Sequence, residues 1–319
     1  MKKFCFVLLL IILALLAVCS LMTGINGITI AGFRADPEIR EVLFVSRLPR
    51  TIALLLAGGA MAVSGLLLQM LSQNRFVEPT IVGTTQAGSL GLILIILLFP
   101  SASILMKMGV AALFAASATL LFMLLLERIR SKSSLIVPLI GIMLSSVFSA
   151  AATFLAMKYD LLQTLNNWES GDFSSVLQGR YEFLWLSGVI TLLSALIADR
   201  FTVAGFGRDL AVNVGLDYRR VLMIGLGVIA INCGIVLVVV GNLPFIGLVV
   251  PNLVSLLLGD NLRYTVPWVA LTGSVLVIGC DIIGRLLIYP FEIPASSLLG
   301  VAGAAIFLLL LMRESSRGR

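Results

Sequence analysis

The stretch TIALLLAGGAMAVSGLLLQML, residues 51–71, contains no charged side chain. A helix needs roughly 20 apolar residues to cross the hydrocarbon core of a bilayer, so this segment reads as a membrane span. Its small residues, Gly58-Gly59-Ala60 and Ser64-Gly65, would let neighbouring helices approach closely where lipid removes the usual hydrophobic drive for association. Working outward, segments 4–22, 80–99, 103–126, 134–157, 183–198, 220–240, 243–258, 265–289 and 296–312 share its character, giving ten predicted spans. Composition agrees: 60% of the 319 residues are hydrophobic, 12% are charged and the mean hydropathy is +1.11. An ordinary soluble domain carries about 25% charged residues. Backbone groups in lipid must be satisfied within the segment, so the expected fold is all-α: a polytopic membrane bundle of about ten helices forming one domain over residues 1–319.

Met1-Lys2-Lys3 followed by Phe4 to Leu21 resembles a signal peptide, and Leu16-Ala17-Val18-Cys19 resembles a lipoprotein cleavage box. Val18 argues against a cut there, because small residues are wanted before it; the segment is read as an uncleaved first span. Ten spans place both termini on one side. With the N-terminus inside, fourteen Lys and Arg fall on inner segments and eight on outer ones, as the positive-inside rule requires, so both termini are expected in the cytoplasm. Two outer segments, 23–50 and 158–182, are longer than turns, as are the inner segments Glu127 to Ser134 and Asp199 to Arg220.

Several function classes are disfavoured. The net charge of +6 is scattered over short loops and forms no stripe for nucleic acid. There is no histidine, and Cys5, Cys19, Cys233 and Cys280 lie inside apolar runs, so they read as packing residues and no metal site or cofactor is expected. No Gly-x-x-x-x-Gly-Lys-Ser/Thr loop occurs, so the chain is not itself an ATPase. An ion-coupled secondary transporter would carry ionisable residues at membrane depth, but the clearest exception here is Asp281, which has Arg285 one turn later as an i,i+4 partner. No nucleophile–base constellation supports an enzyme.

Three blocks carry a resemblance. The first is Arg47-Leu48-Pro49-Arg50-Thr51, then Gly58, Ser64-Gly65, Gln69 and Asn74-Arg75-Phe76-Val77-Glu78-Pro79, leading to Gly83-Thr84-Thr85-Gln86-Ala87-Gly88. The second is Gly207-Arg208-Asp209-Leu210-Ala211 through Val214-Gly215-Leu216, then Gly241-Asn242-Leu243-Pro244-Phe245 to Pro251. The third runs from Asp281 through Arg285 to Pro294 and Gly300. In order and spacing these resemble the FecCD family of ABC importer permeases, which move iron–siderophores, haem and vitamin B12. Asn252 and Gly303-Ala304-Ala305 depart from the family's usual histidine and Gly-Ala-Pro, and Asn74-Arg75-Phe76-Val77 is similar to the branch serving catecholate-type siderophores.

The resemblance implies a fold like that of the vitamin B12 importer permease. It also implies a second permease subunit, identical or not, two cytoplasmic ATPases and an extracytoplasmic binding protein. The expected function is ATP-driven import of iron(III)–siderophore, with a vitamin B12 or haem permease as the alternative within the family. Arg47, Arg50 and Arg285 match positions that dock the binding protein, though such arginines can equally be interfacial anchors or ion-pair partners. Ala204 to Leu216 matches the segment that couples to the ATPase, with Gly205, Gly207, Arg208, Asp209, Leu210, Asn213 and Gly215 as its candidate residues. Ser133 and Ser134, with Thr84, Thr85 and Gln86, match the gate and pathway.

Overall fold

The computed structural model describes residues 2–24, 37–129, 136–259 and 261–317. Helix α1 is Lys2–Met22; α2, Pro37–Val42, continues through a π-helical turn, Leu43–Arg47, into α3, Leu48–Ser72. Then come α4 (Thr84–Leu98), α5 (Ile104–Arg128), α6 (Ile136–Lys158) and the short α7 (Leu162–Glu169). A 3-10 turn, Tyr181–Phe183, leads into α8 (Leu184–Leu196), which bends by 66° into α9 (Ala198–Gly205). The chain closes with α10 (Arg208–Asn213), α11 (Tyr218–Val239), α12 (Ile246–Leu258), α13 (Leu262–Leu287) and α14 (Ala295–Arg317).

Each of the ten predicted spans coincides with a helix. Among the described residues six helical segments are long and apolar enough to cross a bilayer, seven if the bent α8–α9 pair is a single span, and α4, α12 and α14 are shorter apolar helices. Helix α12 has 13 residues, about 20 Å at 1.5 Å per residue, well short of the ~30 Å hydrocarbon core. Its N-terminus therefore has to meet irregular chain inside the protein, which is tolerated at such depth only where protein surrounds it.

Helix α3 is the axis of the bundle. It packs most extensively against α13, and also against α12, α11 and α8, while α5 packs on α11 and α4. The small residues explain how closely. A side chain on Gly58 would meet the backbone of Gly273, and one on Gly65 would lie 2.1 Å from the carbonyl oxygen of Gly247. Polar groups fasten the same contacts: Asn232 Nδ2 donates to Ser64 Oγ and Thr191 Oγ1, both at 3.2 Å, and Ser274 Oγ donates to the Leu55 carbonyl at 2.7 Å. Such bonds average ~0.6 kcal/mol within membranes, so they specify register more than they add stability. Cys233 and Cys280 are buried in this packing, while Cys5 and Cys19 are exposed on α1; none is in a disulfide.

A hydroxyl-lined cleft between two clusters of charge and coupling residues

Charge concentrates at one end of the bundle. Asp281 on α13 is 2% exposed and takes two arginines at once: Arg285 Nη2 donates to Oδ2 at 2.5 Å and Arg50 Nη2 to Oδ1 at 2.7 Å. Arg50 also reaches Glu292 at 2.8 Å. Arg285 Nη1 donates to the carbonyls of Ser20 (3.1 Å) and Thr23 (3.0 Å), while Arg47 Nη1 donates to those of Leu21 (3.0 Å) and Met22 (3.4 Å). The last four carbonyls of a helix have no partner within it and carry the negative end of its dipole, so the two guanidiniums close off the C-terminus of α1. The i,i+4 pair expected of Asp281 and Arg285 is present. Arg47 and Arg285 are buried and Arg50 nearly so, each engaged inside the chain.

A cleft of about 790 Å³ lies between α4 and α6. Its walls are Thr85, Gln86 and Ser89 from α4 and Ser145, Ser146, Ser149 and Thr153 from α6, interleaved with the apolar Ala150, Phe154 and Met157, with Glu169 of α7 and Asn242 at its edges. Thr85 and Gln86, two of the expected pathway residues, line this cleft. Thr84 does not: its hydroxyl is buried against Thr119 at 2.9 Å and ties α4 to α5. Ser133 and Ser134 lie outside the described residues. Glu169 remains exposed, yet loss of part of its hydration raises its carboxyl above the ordinary carboxylate range. The hydroxyls of α6 were not singled out from sequence. Their signal is the helical spacing of 145, 149 and 153 along an otherwise apolar segment, which brings three hydroxyls onto one face.

The segment matching the coupling region folds as α9 and α10, hinged at Gly207, whose φ is +106°, and released at Gly215, whose φ is +82°. Both values lie where only glycine is unstrained. Arg208, Asp209, Leu210, Asn213 and Gly215 are exposed, Gly205 is half-buried against Met70, and Ala211 is the buried anchor. Phe206 and Val214, 69% and 65% exposed, stand with Leu210 and Val212 as an apolar cluster on a polar element.

Apolar helices of membrane-crossing length around a small-residue core, with a polar cleft along one side, define a polytopic membrane protein. A profile of the FecCD transport family matches residues 6–313, and the chain belongs to that family. Over 309 residues it is 44% identical to the petrobactin import system permease protein FatD of Bacillus anthracis, covering 97% of this chain and 91% of that one. It is likewise 44% identical to the petrobactin import system permease protein YclN of Bacillus subtilis, of which it covers 98%. Among solved structures, an inward-facing conformation described as a metal-chelate type ABC transporter superposes with a TM-score of 0.82 at 26% identity, over 98% of this chain and 100% of the other. The chain is a transport subunit and not an enzyme, and its all-helical fold is that of the ABC metal-chelate permeases.

Proposed function

We propose that the chain is one permease domain of an ATP-driven importer that carries an iron(III)–siderophore complex into the cytoplasm, with petrobactin the first cargo to test. The observation that carries this reading is the full-length 44% identity to two petrobactin import permeases. The cleft supports it. Its hydroxyls and amides offer a large polar complex many weak hydrogen bonds without a fixed charge to trap it on the α4 and α6 walls.

Partners follow from the same reading: a second permease, two ATPase subunits and an extracytoplasmic binding protein. The exposed apolar residues Phe206, Leu210, Val212 and Val214 support α10 as the element seated on an ATPase, because large exposed apolar groups on and beside a short helix suit burial against a partner. Nucleotide bound differently by two arrangements of the ATPases would then bias two arrangements of the helices. The charge count supports cytoplasmic termini, with α10 inside and the Asp281 cluster outside. Arg47, Arg50 and Arg285 remain candidates for docking the binding protein. Arg50 is the best placed, since a carboxylate from a docking partner can replace its exposed partner Glu292 while Asp281 keeps its hold.

The test is uptake of radiolabelled iron–petrobactin by cells lacking their own permease. Deletion of residues 205–215 is expected to abolish uptake while leaving the protein in the membrane; retained uptake would remove the coupling role. Uptake that collapses with the ion gradient while ATP is intact would replace the importer by a gradient-driven carrier.

A further inference from the structure

Glu78 lies in the irregular loop 73–83 between α3 and α4 and is 1% exposed. Its Oε1 accepts the N–H of Phe245 at 2.9 Å and the hydroxyl of Thr80, while Oε2 has no hydrogen-bond partner among the described residues. The amides of Gly247 and Leu248, in the first turn of α12, also bear on the carboxyl electrostatically. Phe245 itself has φ +63°, a left-handed conformation that a bulky residue rarely adopts and that its surroundings must hold. The residue in that disfavoured conformation is the one whose amide Glu78 accepts.

Position along the chain gives this contact its meaning. At one end of the loop, the side chain of Gln73 lies against Gly207, the hinge between α9 and α10. At the other end, the loop passes through Gly83 directly into Thr85 and Gln86 on the α4 wall of the cleft. Phe245, on the far side of the contact, is three residues from Asn242 at the cleft's edge. Two further bonds hold α12 in place: Asn252 Nδ2 donates to the Arg75 carbonyl of the loop at 2.8 Å, and Gln69 Nε2, on α3 just before the loop, donates to the Gly247 carbonyl at 3.1 Å. The path from the exposed α10 segment to the cleft therefore divides at Glu78, one branch leading to α4 and the other to the 241–245 turn.

We infer that Glu78 is a positioning residue for transport: by fastening the Phe245 turn and the start of α12 to loop 73–83, it makes the α4 wall of the cleft and the 241–245 turn at its edge move together when the α10 segment is displaced. This rests on the importer reading above. Removing the carboxyl frees the turn to relax toward an ordinary backbone conformation, so displacement of α10 would reach α4 and not the 241–245 turn. The partner ATPases would keep hydrolysing, and cargo would move less often per ATP.

The experiment compares Glu78→Ala and Glu78→Gln in the complete importer reconstituted in liposomes, reading ATP hydrolysis, iron–petrobactin uptake and thermal stability together. Glu78→Ala is expected to lower uptake per ATP at least tenfold while hydrolysis continues. Glu78→Gln, whose amide oxygen can accept the same two bonds but whose NH2 then faces the Gly247 and Leu248 amides, should fall between Glu78→Ala and the parent. A parent-like ratio in Glu78→Ala overturns the inference, and so does a Gln variant as uncoupled as the Ala one. If Glu78→Ala does not accumulate, Thr80→Val decides: it deletes one donor to Oε1, and an unchanged ratio there also overturns the inference. A parent protein whose uptake ignores ATP would instead defeat the importer reading, a result the variants cannot mimic.

Discussion

Helices α3 and α6 are both apolar and of similar length, yet 83% of the most apolar window of the α2–α3 segment is buried inside the chain, against 17% for α6. Hydropathy does not separate them, at 2.1 and 2.0. What does is the size and polarity of the side chains. Helix α3 carries Gly58, Gly59, Ala60, Ala62, Ser64 and Gly65 where its neighbours cross, and their backbones come into contact. Helix α6 leaves Leu139, Met143 and Val147 exposed away from the cleft and turns Ser145, Ser149 and Thr153 into it, beside Phe154 and Met157. One helix is a scaffold that tolerates no added volume; the other is a wall whose outer face is left to lipid or a partner.

The sharpest way to break the comparison is to add volume to the scaffold. In Gly65→Leu the new Cβ would lie within 2.4 Å of three backbone atoms of Gly247, and backbone cannot step aside as a flexible side chain can. Overpacking usually costs ~1–3 kcal/mol, and this variant should exceed that range and fail to accumulate in the membrane. Gly227 on α11 has nothing within 4 Å of where its Cβ would be, so Gly227→Ala should stay within ~0.5 kcal/mol of the parent by thermal unfolding in detergent. Equal losses in both would mean that helix glycines matter here for reasons other than close approach.

Next in size is the charge that pins the scaffold's end. Asp281→Ala leaves Arg50 and Arg285 without the carboxylate they share, and removing one partner of a buried pair typically costs ~3–5 kcal/mol. Arg50 retains Glu292 and Arg285 retains the carbonyls of α1, so the lower end of that range is expected. The measurement is the unfolding temperature of the purified variant. A shift no larger than that of Glu292→Gln, an exposed pair worth about 1 kcal/mol at most, would show that Asp281 is not what holds the cluster.

These two regions differ also in how far sequence reveals them. Span number and position were legible because bilayer thickness fixes helix length, and the glycines bounding the α10 segment were legible because Gly207 and Gly215 need conformations that other residues avoid. The Asp281–Arg285 pair was legible too, but the hold of Arg47 and Arg285 on the end of α1 was not, because those acceptors are backbone carbonyls 26 and 265 residues away, and a carbonyl leaves no mark in sequence. Hydropathy placed the arginines near an end of the bundle without saying what they face. Helix α12 starts at 246, later than the predicted 243, because Phe245 holds a left-handed conformation (φ +63°) that an α-helix cannot run through. Glu78 stood in plain view in the sequence, but only its contact with Phe245 across 167 residues gives it a role.

The smallest expected effect on stability, and the most telling for function, belongs to α6. Ser149→Leu adds an apolar side chain to the cleft wall, where open volume and not packed backbone receives it. Substitutions away from packed features usually change stability by no more than ~0.5 kcal/mol, so the variant should accumulate and unfold like the parent. Uptake should nevertheless fall about tenfold, equivalent to ~1.4 kcal/mol on the transport barrier, because a large polar cargo loses both room and a hydrogen-bonding wall. Ser117→Leu on α5 is the control, since that exposed hydroxyl bonds only its own helix, at the Phe114 carbonyl, and does not line the cleft. If uptake by Ser149→Leu matches that of Ser117→Leu, the cargo does not pass along the α4–α6 face, and the contrast between scaffold and wall is one of packing alone.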